Sequence, residues 1–236
     1  MAKQKVCVII GVGPGNGAAY ARKFAREGYV IALLSRTTEF GEALLPELTE
    51  GSRALSCDAS DPAAIERCLA TIEADMGPVD VLLYNAGSGG GWGSPEETTM
   101  EQFELGWRVN AQGLLKAAQS VAPAMKTKGA GAIIITGATA SRRGGARTTG
   151  FAASKAAQRS LAESLAKHFW PMGIHVALII LDGVVDLPRT RERMADKPDD
   201  FFVKADDVAD LAWSLTQQPR SAWSFEAEAR PFGEKW

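Results

Sequence analysis

Histidine and cysteine are scarce in this sequence. There are two histidines, His168 and His175, and three scattered cysteines, Cys7, Cys57 and Cys68. Two histidines cannot build a three-histidine zinc site, and three dispersed cysteines make no disulfide framework. No apolar run reaches the roughly 18 residues of a membrane span. The opening MAKQKVCVII has too short an apolar stretch for a secretory leader and passes straight into a strand-like run. An excess of one charge is also missing. Lys and Arg number 26 against 28 Asp and Glu, a net charge of -2, which leaves no global electrostatic case for wrapping nucleic acid or an anionic membrane. Internal repeats, low-complexity tracts and linkers that would split the chain are lacking too. What remains is the expectation of a soluble, cytoplasmic protein that holds no metal and acts on a small molecule.

What is present is an alternation. The 236 residues are 46% hydrophobic and 23% charged, ordinary for a globular chain. Short apolar runs at 6–10, 30–34, 53–57, 79–84, 132–136 and 174–181 read as strands, with another possible at 224–229. Between them, helical periodicity covers 17–28, 61–76, 98–127, 151–170 and 206–217. Pro62 stands at the first position of the second helix, and the long stretch 98–127 carries an irregularity near Gly106 to Gly113. Strand then helix, repeated with short connections, predicts parallel strands with helices on both faces. The simplest organisation is one doubly wound α/β domain over residues 1–236.

The chemistry begins after the first strand. Gly11-Val12-Gly13-Pro14-Gly15-Asn16-Gly17 lies between a strand and a helix. Glycines there let the backbone turn tightly and approach a pyrophosphate, which rests on the helix N-terminus. Ser35-Arg36-Thr37 follows the second strand, where a dinucleotide's adenosine ribose lies. An acid at that place would accept the 2′-hydroxyl of NAD; Arg36 suits the 2′-phosphate of NADP(H) instead. Asp58 ends the third strand and Asn85-Ala86-Gly87 the fourth, where polar residues line the ligand crevice of a parallel sheet.

With these motifs in order the chain resembles the classical short-chain dehydrogenase/reductase family over almost its whole length. The matches are Gly11, Gly15 and Gly17, Asp58, Asn85-Ala86-Gly87, Val109-Asn110 in the long helix, and Lys155 within Phe151-Ala152-Ala153-Ser154-Lys155. Asp182-Gly183 stands where the family usually has Pro-Gly. The resemblance implies a Rossmann-type three-layer sandwich on a mostly parallel seven-stranded sheet, and a nicotinamide cofactor. It implies adenine recognition around Asp58, ribose contacts from Asn85 and Lys155, and a carboxamide contact near Val185. It also implies a homodimer or homotetramer built on helices 98–127 and 151–170, and it places Arg36 where NADP-preferring members carry a basic residue.

The departures are as informative. The family's proton donor is a tyrosine four residues before the lysine, on the same helical face; here Phe151 stands at that spacing. The family's serine falls thirteen residues earlier; here that position is Ala138, followed by Thr139. Asn110 and Lys155 remain. Three readings follow. The first is an NADP(H)-dependent reductase of an imine or a conjugated C=C bond, which does not need the missing acid. The second is a reductase with a relocated donor, either Thr139 or Asp182, the latter acting as acid or as counter-ion for a cationic substrate. The third is a catalytically silent NADP(H)-binding sensor or scaffold.

Other segments carry weaker signals. The loop Ser88-Gly89-Gly90-Gly91-Trp92 borders the expected substrate side, with Trp92 as an apolar wall or a subunit contact. Arg142, Arg143 and Arg147 gather near the expected mouth, as a solvated loop or a grip on an anionic substrate. Residues 182–205 read as a helical or mobile lid. His175 reads as a packed histidine, Cys57 as a small buried hydrophobe, and the segment 230–236 as a piece packing across a subunit interface.

Overall fold

The computed structural model describes residues 4–88 and 92–233. Residues 1–3 of the opening segment, 89–91 of the glycine loop and 234–236 of the C-terminal segment lie outside the described residues. The first half of the chain forms β1 (Lys5–Ile10), α1 (Asn16–Arg26), β2 (Tyr29–Ser35), α2 (Glu39–Leu44), β3 (Arg53–Ser56), α3 (Pro62–Asp75), β4 (Val79–Tyr84) and α4 (Met100–Trp107). The second half forms α5 (Gly113–Lys128), β5 (Gly131–Thr136), α6 (Thr149–Phe169), β6 (Ile174–Leu181), β7 (Val184–Val185), α7 (Pro188–Arg193), β8 (Phe202–Val203), α8 (Ala205–Gln217) and β9 (Glu226–Ala229).

Seven strands pair in the order β3-β2-β1-β4-β5-β6-β9, and every ladder in this sheet is parallel. This is the doubly wound, Rossmann-like sandwich that the alternation predicts. The two faces of β1 show why its whole run is apolar. Val6, Val8 and Ile10 point into one core with Leu69, Leu114 and Phe169. Cys7 and Ile9 point into the other with Tyr20, Phe24, Val208 and Leu215. A central parallel strand is covered on both sides, so it has no solvent face to leave polar.

Three elements gain detail beyond the sequence reading. The irregularity expected near Gly106 to Gly113 is a break that divides the stretch 98–127. α4 begins with a capping box between Thr99 and Gln102, then a π-turn at Arg108–Gln112 separates it from α5. Packing accounts for the break: a Cβ on Gly113 would lie 2.3 Å from the Ala59 carbonyl and 2.4 Å from the Tyr84 hydroxyl, and that hydroxyl donates to the Val109 carbonyl inside the turn. Helix α2 is an element the sequence reading left out; Gly41 lets it sit close on Ala54 and Leu33. Segment 182–205, expected as a helical or mobile lid, holds one short helix and two short strands. β7 and β8 pair in parallel around α7, and Arg191 ties Asp186 to Asp199 at 2.6 Å each. The guanidinium beside Asp186 holds that carboxyl down at about 2. Among the described residues no helix is long and apolar enough to cross a membrane.

Candidate active site

The strand order reverses at β1, which lies between β2 and β4, so the loops leaving β1 and β4 part and open a crevice at their carboxyl ends. A cavity of about 750 Å³ occupies it. Gly11, Gly15, Asn16 and Gly17 line one wall; Ser35, Arg36 and Asp58 line the outer end; Asn85, Ala86, Gly87 and Val185 line the inner end. The expected cofactor residues other than Lys155 thus meet in one cleft.

The glycine turn is built by contact. Gly11 has φ +97°, and a Cβ there would fall 2.3 Å from the Ala86 nitrogen. The Asn85 amide donates to the Gly11 carbonyl at 2.7 Å, which locks the β1 turn to the β4 turn. Helix α1 starts at Gly15 with no side-chain cap, so its first N–H groups stay available to an anion. Among the described residues the buried Asn16 Oδ1 finds no donor; it is an acceptor, so the N–H groups alone would meet an anion. This cradle fits the pyrophosphate of a dinucleotide. At the outer end, Ser35 Oγ donates to the Thr37 carbonyl at 2.7 Å and Ser56 Oγ to the Arg36 carbonyl at 2.9 Å. These bonds fix the turn, while the exposed Arg36 guanidinium has no carboxylate partner among the described residues. Asp58 Oδ1 accepts from Ser60 N and Oγ, both at 2.8 Å. Arg189 and Leu187 of the 182–205 segment also line the cleft. The sequence reading did not single them out, because only the folding back of α7 brings them to the glycine turn.

Lys155 and Asn110 lie behind Gly87 rather than on the open wall. A Cβ on Gly87 would be 3.7 Å from Lys155 Nζ and 3.6 Å from Asn110 Oδ1. The π-turn carries Asn110 inward, where its amide donates to the Ser88 and Gly106 carbonyls at 2.9 Å and to Ser154 Oγ at 3.1 Å. Lys155 is 5% exposed and donates to the Thr136 carbonyl and to Gln158 Oε1, both at 2.9 Å. Burial draws its ammonium down to about 7. Phe151, one turn earlier on α6, stacks on Trp92 with centroids 4.9 Å apart. Ala138 presents no hydroxyl, and its N–H donates to Ser141 Oγ at 3.1 Å.

Asp182 sits apart from the other expected residues. It is not among the residues lining the cleft. Its carboxylate is ion-paired with Arg230, accepts the Thr139 hydroxyl, and has Arg143 at 4.0 Å. The Thr139 hydroxyl is thus engaged by Asp182, and the Asp182 carboxylate by Arg230. The cause is tertiary: pairing of β9 with β6 sets Ala229 beside Leu181 and delivers Arg230 to Asp182. The arginine cluster is likewise engaged, Arg142 with Glu226 and Glu228, and Arg147 with Glu97. His175 is packed: its ring stacks on Trp223, and its two nitrogens meet the Leu215 and Ser224 carbonyls. Cys57 is buried.

Residues 5–198 match the family model described as short chain dehydrogenase. A sorbitol dehydrogenase of Cereibacter sphaeroides is 34% identical over 183 residues, 77% of this chain and 71% of that protein. A crystal structure of a short-chain dehydrogenase from Rhodopseudomonas palustris is 32% identical, with TM-score 0.81 over 97% of this chain and 99% of that one. An alcohol dehydrogenase from Thermococcus sibiricus, solved in complex with 5-hydroxy-NADP, is 25% identical, with TM-score 0.86 over 98% of each chain.

Proposed function

The chain belongs to the short-chain dehydrogenase family, and on that footing we propose that it is an NADP(H)-dependent oxidoreductase reducing an imine or a conjugated C=C bond. The unpaired Arg36 at the outer end of the cleft carries the cofactor choice. The turn after β2, Ser35-Arg36-Thr37, holds no acid to accept a 2′-hydroxyl, and a guanidinium suits a 2′-phosphate. The 5-hydroxy-NADP complex of the Thermococcus relative supports the same choice. When bound, the nicotinamide supplies a hydride. The Gly11–Gly17 turn and the α1 N-terminus hold the pyrophosphate, the Asp58 end takes the adenine, Asn85 and Lys155 hold the ribose, and Val185 meets the carboxamide. Residues 182–205 serve as the lid of this single domain. The protein works in the cytoplasm as a homodimer or homotetramer through helices 98–127 and 151–170.

The substrate class follows from what is missing. Phe151 and Ala138 stand where the family's tyrosine and serine would be, so no phenol or seryl hydroxyl supports a developing alkoxide. A general acid is worth roughly 10²–10⁴ in rate. A protonated imine is already an electrophile, and a conjugated C=C bond spreads the charge. The hydrogen bond from Thr139 to Asp182 and the ion pair of Asp182 with Arg230 favour a second reading, a catalytically silent NADP(H)-binding sensor or scaffold.

Titration of protein fluorescence with both reduced cofactors tests the cofactor choice. NADPH binds more tightly than NADH, by about one to two decades for a charge-assisted contact of roughly 1.5–3 kcal/mol. Arg36→Ala erases most of that difference; equal affinities in the native protein would refute it. Stopped-flow oxidation of NADPH against imines, enones and ketones separates the readings. Turnover of an imine or enone supports the reductase, and binding without any turnover supports the sensor.

A further inference from the structure

The glycine turn offers an anion no full charge of its own. From Gly11 to Gly17 it presents backbone N–H groups and no ionisable side chain. Among the described residues lining the cleft, three side chains are charged: Arg36 and Asp58 at the outer end, and Arg189. Arg36 is accounted for by the 2′-phosphate. Arg189 has as yet no task.

Arg189 is carried on the segment that folds over the turn. Leu187 makes the contact: its Cδ2 lies 3.1 Å from where a Cβ on Gly15 would be, at the residue from which α1 starts. The chain around Arg189 is tied down. Thr190 is buried; its Oγ1 donates to the Val185 carbonyl at 2.7 Å and accepts from the Leu187 N–H at 2.9 Å. Arg191 holds Asp186 and Asp199, and its guanidinium lies 4.1 Å from the centre of the Phe202 ring. Arg189 itself is exposed, and among the described residues no ion pair or hydrogen bond engages its side chain. Acids close to it in the chain are committed: Asp186 to Arg191 and Lys204, Asp199 to Arg191, and Asp196 to Lys197. An anchored backbone thus delivers a free guanidinium to a cleft whose cradle is uncharged. A guanidinium presents paired donors that match phosphate oxygens. The Leu187 contact with Gly15 sets this segment at the glycine turn, which favours a diphosphate over a substrate group at the inner end.

We propose that Arg189 is a cofactor-binding residue, the counter-charge for the diphosphate of a nicotinamide dinucleotide. Arg36 and Arg189 then act on different parts of one ligand. Arg36 meets the 2′ substituent and sets the choice between NADP(H) and NAD(H). Arg189 meets the diphosphate that both cofactors share, and raises affinity for each alike. The same segment that covers the turn supplies the charge. The inference rests on the dinucleotide reading of the cleft and not on the preference for NADP(H).

Isothermal titration of the native protein, Arg189→Met, Arg189→Glu and Arg193→Met with NADPH, NADH, ADP-ribose and adenosine 2′-monophosphate tests it. Arg189→Met weakens NADPH, NADH and ADP-ribose by a common factor of about 10 to 100. It leaves the NADPH-to-NADH ratio at its native value, and adenosine 2′-monophosphate, which has no diphosphate, binds as before. Arg189→Glu loses more than Arg189→Met, since repulsion replaces attraction. Arg193→Met removes an exposed arginine of the same helix that does not line the cleft, and binds all four ligands as the native protein does. Unchanged dinucleotide affinities in Arg189→Met overturn the inference. So does a loss confined to NADPH, which would put Arg189 at the 2′-phosphate. Equal losses in Arg189→Met and Arg189→Glu would make the effect one of packing, and a matching loss in Arg193→Met one of general charge; either overturns it too. A native protein that binds NADPH and NADH equally strikes the reading of Arg36 alone, and the common loss in Arg189→Met still supports the diphosphate contact. A native protein that binds neither cofactor, nor ADP-ribose, strikes the dinucleotide reading and this inference with it.

Discussion

Phe151 differs from tyrosine by a single oxygen, and Ala138 from serine by another. On the proposed reading, those two atoms separate this cleft from one equipped to protonate a ketone. Phe151 is half-buried and packed on Trp92, so its ring edge is the place to test. Phe151→Tyr with Ala138→Ser rebuilds a donor pair one turn from Lys155 and beside Asn110. The double variant is expected to gain ketone reduction over the native protein, by a factor approaching the 10²–10⁴ of a general acid, and each single variant to gain less. Steady-state NADPH oxidation with a ketone panel measures it. A double variant that binds NADPH yet gains nothing would mean that the space around Phe151 has been rebuilt. Lys155 shows the same economy of atoms: with no carboxylate beside it, burial alone brings it near neutrality.

Among the elements, the α4, π-turn and α5 series does most to place the inner end of the cleft. A continuous α-helix would carry Asn110 off the line that points it behind Gly87. The wider turn holds it there, with the Tyr84 hydroxyl fastened to the Val109 carbonyl. Gly113 is the residue this arrangement requires, since any side chain would strike the Ala59 carbonyl and the Tyr84 oxygen. Gly113→Ala therefore costs about 1–3 kcal/mol of stability, the usual penalty for overpacking. It also weakens NADPH binding by shifting Asn110 and Gly87. Gly144→Ala, at a glycine with nothing within 4 Å and no positive φ, serves as the control and leaves stability unchanged. Urea unfolding midpoints decide the matter; equal midpoints for the two variants would refute the packing account.

For the whole molecule, the open question is what covers the outer face of α4 and α5. Phe103, Trp107 and Leu115 are 38%, 47% and 38% exposed there, and clustered exposed apolar side chains mark contact surfaces. The proposed homo-oligomer buries them, so Trp107→Glu shifts the protein to monomer in size-exclusion chromatography with light scattering. A native protein that is already monomeric would end that proposal. The C-terminal strand has a second whole-molecule role. By pairing along β6 it carries Glu226, Glu228 and Arg230 into one network with Arg142, Arg159 and Asp182. The far end of the chain thereby fixes the loop in which Ala138 and Thr139 sit.

The alternation of buried strands and amphipathic helices was enough to establish the doubly wound sheet, because hydrophobic period and connection length are local properties of the chain. The glycine turn, Arg36, Asp58 and Asn85-Ala86-Gly87 were legible for a related reason: each sits at the end of a recognisable strand, and strand ends in a parallel sheet converge on one crevice. The absence of a hydroxyl at Phe151 and Ala138 was written in the sequence as well. Only the tertiary structure decided the rest. That Asp182 is ion-paired was decided by β9, which brings Arg230 to it across the sheet edge. The irregularity of the long helix was visible in its glycines, but that it is a π-turn was decided by Tyr84 and Ala59, from other elements, crowding Gly113. Gln158 gave a faint signal, three residues after Lys155 and hence on the same helical face. Its role beside that lysine rests on burial, which a linear sequence does not state: the surrounding layers exclude water, and leave one amide oxygen and one backbone carbonyl to hold the lysine.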